Sequence, residues 1–264
     1  MLPTSELYES LEIAYDHFNS TLFKSSLPRV IFTVQRKTGV TGYFAPHRWG
    51  NLDGKKCHEI AINPSYIANS RLIEVLQTLV HEMVHCWQIC FGSPGRDHYH
   101  NVEWAIKMEQ LGLMPSSTGE PGGAKTGQHM ADYIIEDGQF LNSFNDLRNK
   151  KNFQLKWIDR RALPRLYDPV IAKIPEVYES SQDFNSTEEL ISNEKSQSRN
   201  TKHTYELLDA PSFTEIMPES FFISEQPKRK TRIKYTCPTC FVKVYGKALL
   251  KIRCEDCNET FISE

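Results

Sequence analysis

The sequence predicts an α+β domain over residues 1–170 with a small cysteine-built module at 231–264. Three observations carry this. Three short β-rich segments lead into a long helical pattern containing His81-Glu82-Met83-Val84-His85, an H-E-x-x-H run. A second helical pattern returns after the turn Gly92-Ser93-Pro94-Gly95-Arg96-Asp97, and four cysteines near the end form two C-x-x-C pairs. Strands followed by helices in one compact stretch read as a sheet covered on one face.

Taken in order, residues 3–23 carry Leu7, Leu11, Tyr15, Phe18 and Leu22 at helical spacing, with Thr4 or Ser5 as cap. This helix covers the sheet. Residues 29–34 are rich in β-branched side chains and read as a strand, and 39–44 and 57–62 as two more. The loop expected between the last two holds Pro46, Gly50 and Gly54. Ser70 is the expected cap of the next helix, whose apolar positions Ile73, Leu76, Val80, Met83, Val84 and Trp87 meet no Gly or Pro before Gly92. Residues 101–111 read as the returning helix, with Val102, Ile106 and Leu111 as its apolar positions and Gly112 as its stop. Beyond it, 116–123 reads as a loop, 129–135 as a strand and 140–155 as a helix. Residues 171–230 read as a flexible linker, rich in Ser, Asn, Gln and Glu, in which Phe213, Phe221 and Phe222 are scattered aromatics.

Composition sets the class. The chain has 264 residues, 39% hydrophobic and 24% charged, with a formal net charge of −2. That is an ordinary globular balance, so attraction to nucleic acid must come from a local patch. It contains no run of 18 apolar residues, and neither a basic leader nor an apolar signal segment opens it. No membrane partner is expected, and the cytoplasm is the expected compartment. Four of the seven cysteines stand in C-x-x-C pairs, which in a reducing compartment indicates metal rather than disulfides. Cys57, Cys86 and Cys90 lack such spacing and read as small buried thiols.

The H-E-x-x-H run has a specific chemical reading. On a helix His81 and His85 leave the same face one turn apart and can share one zinc ion. A zinc with three protein ligands keeps one open position and brings the pKa of a water there towards about 7. Glu82 sits where a carboxylate can take that proton and hand it to a leaving amine. His98 and His100 are both candidates for the third ligand, brought back over the first helix by the turn.

His81-Glu82-Met83-Val84-His85, fourteen residues, then His100-Asn101-Val102-Glu103-Trp104 resembles the SprT-like zinc metallopeptidases, the group that includes the Spartan-type proteases. The run Gly42-Tyr43-Phe44-Ala45-Pro46-His47-Arg48-Trp49 resembles the segment before the metal helix in its bacterial members. The resemblance implies a zincin-like domain, His100 as third ligand to a catalytic zinc, and Asn101 where the family has Gly. It further implies proteolysis of proteins bound or crosslinked to DNA, and hence a place in DNA–protein crosslink repair. For Tyr43, His47, His98 and His129 no role follows.

In the tail, Cys237 and Cys240 are separated from Cys254 and Cys257 by thirteen residues. This is a zinc-ribbon spacing, with four thiolates closing the shell around a second, structural zinc and leaving no open position. Phe241 and Asn258 stand where ribbons often have Gly, and Gly246 is the expected hairpin turn. Lys228, Arg229, Lys230, Arg232 and Lys234 precede the ribbon, with Tyr235, Phe241 and Tyr245 interleaved. Cations with aromatic faces fit single- or double-stranded DNA, phosphate contacts supplying affinity and stacking adding to it. Two functions follow as expectations. One is a zinc-dependent endopeptidase using Glu82. The other is a non-enzymatic nucleic-acid-associated factor whose metal helix only stabilises the fold.

Overall fold

The structure is a computed structural model that describes residues 2–151, 153–161, 170–174, 212–218, 221 and 232–263. Two compact units divide the chain, Met1–Phe222 and Ile223–Glu264.

The first unit opens with α1, Pro3–Leu22. Its start is fixed by Pro3 in the first turn, where a missing N–H costs nothing; the expected caps Thr4 and Ser5 lie inside the helix. Three strands follow: β1 (Val30–Val34), β2 (Gly42–Gly50) and β3 (Lys56–Ile62). They form a sheet of order β1-β3-β2, in which β3 runs parallel to β1 and antiparallel to β2. The chain therefore builds both edges before filling the middle. β2 is longer than its sequence suggests, continuing through Pro46 to Gly50. Pro46 does not end it because β2 is an edge strand, and because the register shifts between Ala45 and Trp49 in a bulge. His47 takes the left-handed conformation there (φ 51°).

One face of this sheet, Phe32, Phe44, Ile60 and Ile62, is buried against α1 and α3 (Leu72–Phe91), the helix that carries His81 and His85. Tyr15 meets Phe32 edge to face at 5.7 Å. Each such buried side chain contributes about 1.5–3 kcal/mol of apolar transfer. The short helix α2 (Pro64–Ile67), capped by Asn63, leads into α3. Arg71 rather than Ser70 occupies the N-cap of α3, because Glu74 reaches back to accept its backbone N–H; the Ser70 hydroxyl instead donates to the Tyr66 carbonyl.

After a 3₁₀ turn at Arg96–His98, α4 (Val102–Gln110) returns along α3. The helix is where its pattern predicts, but its inward face is different. Trp104, Ala105 and Met108 are buried, whereas Val102 and Ile106 are 58% and 48% exposed. Trp104 outweighs the two aliphatics in buried area and turns the helix.

A second sheet, absent from the sequence expectation, follows: β4 (Leu113–Ser116), β5 (Ala131–Ile135) and β6 (Ile171–Ala172), in the order β4-β5-β6. Between β5 and β6, α5 (Gln139–Lys151) packs on α1, with Phe18 stacked on Phe140 at 5.8 Å. Most of the linker expected over 171–230 lies outside the described residues. Of its described part, Ile171–Ala172 form β6, and Phe213, opening the short α6 (Phe213–Ile216), packs on the main core.

The second unit holds β7 (Ile233–Thr236), β8 (Lys243–Gly246) and β9 (Ile262–Ser263), ordered β8-β7-β9. The hairpin turn between β7 and β8 is the first cysteine knuckle itself. Gly246 stands at the far end of β8, paired with Ile233. Phe241 (φ 59°) and Asn258 (φ 57°) both take the left-handed conformation that ribbons usually assign to Gly.

Candidate metal centre

α3 presents His81 and His85 on one face, with ring centroids 5.2 Å apart. β2 crosses this face closely because Gly42 has no side chain. A Cβ there would lie 2.9 Å from the Ala61 carbonyl and 3.0 Å from the Thr78 methyl. This approach lets the Phe44 backbone N–H donate to the Glu82 carboxylate.

The third imidazole arrives through a stapled turn. Gln88 Nε2 donates to Asn101 Oδ1 (2.7 Å) and Glu103 Oε2 (2.9 Å), and the Ser93 N–H donates to Glu103 Oε2 (2.6 Å). Asn101 caps α4 by accepting the Trp104 N–H at 3.0 Å. This is the physical reason an Asn serves here: it ends the turn and starts the helix. Within the turn Asp97 and His98 take left-handed backbone (φ 48° and 62°). His100 then pairs with Gly127, its N–H donating at 2.9 Å and its carbonyl accepting at 3.1 Å.

One ligand atom from each of His81, His85 and His100 falls within 4.8 Å of the others, and His85 Nε2 is 3.1 Å from His100 Nε2. His98 is not in this group; it lines the cleft beside it. The outer nitrogens of two rings are committed. His81 Nδ1 bonds Asp132 Oδ2 at 2.9 Å, and His100 Nδ1 bonds the Gly127 carbonyl at 3.1 Å. Gln77 in turn fixes Asp132, donating to its Oδ1 at 2.7 Å and its carbonyl at 2.8 Å. With their protons on Nδ1, His81 and His100 turn Nε2 lone pairs inward, the arrangement found around metal-binding imidazoles. Trp104 forms a shared floor, its ring 4.9, 5.5 and 4.4 Å from His81, His85 and His100.

Electrostatics agree with this geometry. Burial, followed by the neighbouring His81, holds His85 well below its ordinary pKa and lowers His100 to about 4. Burial opposes the charging of His81, but the Asp132 bond and the charge of Glu82 outweigh it and raise the group. Burial lifts Glu82 to about 7, against the pull of His81 and the Phe44 N–H. Three imidazoles converging at the base of a cleft, two of them neutral with facing nitrogens, fit a divalent cation of zinc's chemistry. A cleft of about 670 Å³ opens over the site, lined among others by Tyr43, Glu82, His98, His129 and Asp132. His47 lies on the bulge, where its backbone N–H donates to His58 Nδ1 at 3.0 Å.

A profile of the SprT-like family matches residues 11–121. An uncharacterized protein in the mucB 3′ region of Salmonella typhimurium is 42% identical over 60 residues, 22% of this chain and 81% of that protein. The chain belongs to the SprT-like family. SprT-like proteins are metallopeptidase-like, and the matched residues span α3, the turn and α4, so all three imidazoles of the candidate centre fall within the match. No solved structure matches.

Outside that match, Cys237, Cys240, Cys254 and Cys257 bring their sulfurs within 4.8 Å of one another. Two like knuckles hold them. The Cys237 N–H donates to the Val242 carbonyl at 3.0 Å, and the Cys254 N–H to the Glu259 carbonyl at 2.8 Å. Backbone N–H groups of Cys240 and Thr239 lower the Cys237 thiol to about 7, whereas Cys257 is raised, chiefly by its bond to Cys240, and Cys254, against the pull of the Cys257 N–H, is raised by burial and the Cys240 thiol. Tyr235 is the buried core of this unit, its hydroxyl bonded to the Lys247 carbonyl (2.6 Å) and the Leu250 N–H (2.9 Å). Phe241 and Tyr245 are exposed. Of the basic run, Arg232 is exposed and Lys234 half-buried; Lys228, Arg229 and Lys230 lie outside the described residues.

Asp132 is the site residue the sequence does not announce. It stands far from the H-E-x-x-H run, and only the pairing of β5 beside α3 brings it to His81. Cys86 is buried and Cys90 half-buried, its thiol 3.8 Å from His58 Nε2; burial raises both thiols. Neither belongs to a metal-ligand group among the described residues.

Among the described residues no helix is long and apolar enough to cross a membrane.

Proposed function

We propose that the protein is a zinc-dependent endopeptidase in which His81, His85 and His100 hold the metal and Glu82 is the general base and acid. The single observation that supports this best is the convergence of those three imidazoles within 4.8 Å beside a buried carboxylate. Zinc, when bound, supplies a Lewis acid that makes water acidic near neutral pH and polarises a substrate carbonyl. Glu82, a buried carboxylate beside the three imidazoles, stands where it can accept a proton from water and pass it to the departing amine. Asp132 keeps the His81 proton on Nδ1, and Trp104 excludes water beneath the rings. The edge of β2 along the cleft offers a backbone against which an extended peptide can pair.

The four thiols of the second unit hold a structural zinc in this reading. The substrates are proteins bound or crosslinked to DNA, and the basic tail with Phe241 and Tyr245 contacts the nucleic acid. Glu82→Gln is the test. It should keep two zinc ions and lose cleavage of casein and of a DNA-bound protein. A Glu82→Gln protein that cleaves like the parent rules the peptidase out. Zinc-dependent structure with salt-sensitive DNA binding and no turnover in the parent would establish the non-enzymatic factor instead.

A further inference from the structure

Half of the segment Gly42-Tyr43-Phe44-Ala45-Pro46-His47-Arg48-Trp49 serves the metal centre, through the clearance at Gly42 and the Phe44 backbone. In the other half Tyr43, Ala45 and Trp49 stand on the opposite sheet face, and Tyr43 and Arg48, with Lys37, also border the cleft. Register pairs Thr33 with Ala61 and Ala61 with Tyr43, Ile31 with Glu59 and Glu59 with Ala45, and Trp49 with Cys57. These residues share the sheet face opposite Phe32, Phe44 and Ile60. That face reaches solvent at Ile31, Gln35 and Trp49, the last 42% exposed.

A carboxylate is sunk into the middle of it. Glu59 is 2% exposed and satisfied by four donors. Its Oε1 accepts from Tyr43 Oη (2.8 Å), Thr33 Oγ1 (3.0 Å) and Gln35 Nε2 (3.2 Å), and its Oε2 from Trp49 Nε1 (2.7 Å). Placing a carboxyl group there costs desolvation. What it secures is the orientation of two aromatic rings, each tied by its polar edge to one oxygen of the same group. Cations stand at the rim. Lys37 Nζ lies 5.3 Å from the Tyr43 ring centre, Arg48 is near enough for its charge to act on Tyr43, and Lys56 opens β3 opposite Gly50. All three are exposed, and none forms an ion pair among the described residues.

We propose that this outer sheet face binds single-stranded nucleic acid, with bases stacked on Trp49 and Tyr43 and phosphates held by Lys37, Arg48 and Lys56. Fixed aromatic rings accept any base by its π face, and free cations at the rim select a polyanion over a neutral peptide. Duplex bases are already stacked on one another, so the ligand is single-stranded. This face is built from residues of the first unit other than the basic run, and its binding does not require the hydrolytic reading. A failure of Glu82→Gln to behave as proposed leaves this test intact.

The test uses the zinc-loaded full chain and a short fluorescein-labelled oligothymidylate. Trp49→Ala should weaken its binding about tenfold. Arg48→Ala and Lys56→Ala should each flatten the salt slope by about one. Trp49→Phe keeps a stacking ring while removing the indole, so it should retain most of the affinity yet lose the quenching of tryptophan fluorescence by unlabelled oligothymidylate. This variant guards against loss of fold in Trp49→Ala. Parent-like affinity in Trp49→Ala, or undiminished quenching in Trp49→Phe, overturns the proposal. So does a Trp49→Ala protein that binds the oligonucleotide normally but loses casein cleavage, which would assign the face to protein substrates.

Discussion

The four-cysteine unit and the three-histidine site each gather their donors within 4.8 Å, yet they reach that state by opposite routes. Around the cysteines there is little else: Tyr235, Cys237 and Cys254 are its buried core, while Phe241, Tyr245 and Leu249 face solvent. So small a core cannot by itself offset chain entropy, and on the proposed reading a bound metal contributes the folding energy. His81 and His85 sit on a helix buried along most of its length and His100 on the turn before α4, all three against Trp104, in a core that stands without them. One unit has too little core to fold on its own packing; in the other a packed core brings the donors together. Left-handed φ at side-chain-bearing residues occurs in both, at Phe241 and Asn258 in the knuckles and at Asp97 and His98 in the turn before His100.

Breaking this contrast is most direct by removing metal. Chelation should unfold residues 232–263 and leave the first unit folded, because structural zinc contributes about 10–16 kcal/mol to so small a module. Hydrogen exchange resolved by peptide measures it; simultaneous loss of protection in both units would erase the distinction. Next in size is the packing beneath the imidazoles. Met108→Ala should cost about 2–5 kcal/mol in chemical denaturation, whereas Ile106→Ala, on the exposed side of the same helix, should stay within about 0.5 kcal/mol. A smaller effect, confined to the histidine site, is expected for Asp132→Asn. It should lower zinc affinity or activity about 10- to 100-fold with the ribbon zinc retained, read by competition with a chromogenic chelator.

The smallest effect concerns pH in zinc-stripped protein. His100, at about 4, and His85, well below its usual value, are depressed relative to the unfolded chain. Their contribution is therefore complete above pH ~6.5 and lost as pH falls towards 4. Glu82 is raised to about 7, so its contribution is present at low pH and lost as pH rises from ~4.5 through 7. The two oppose each other in the window between. Glu82→Gln should thus make the melting temperature of the stripped protein fall more steeply on acidification than in the parent; an identical slope would argue against the buried carboxyl described here.

Much of this architecture is legible in the chain because local chemistry and tertiary role coincide. The H-E-x-x-H spacing, the strand periodicity of 29–34 and 57–62, and the paired C-x-x-C knuckles each need only neighbouring residues to be read. What escapes is set at long range. The inward face of α4 depends on Trp104 meeting three rings from elsewhere. The second sheet pairs β5, legible in the sequence at 129–135, with β4 and with β6, which is two residues long. Asp132 acquires its role only when β5 aligns beside α3, and Pro46 stays in a strand only because that strand has a free edge.

One of these long-range contacts has a practical consequence. The peptide group of Gly127 grips His100 through its carbonyl on both the backbone and the ring, while its own N–H answers the His100 carbonyl. An ion held by His100 would clamp that ring, and exchange at the Gly127 amide would then gauge occupancy without any substrate. The same coupling means that a binder grasping the chain around 124–128 would feel, and alter, how tightly the ion is kept.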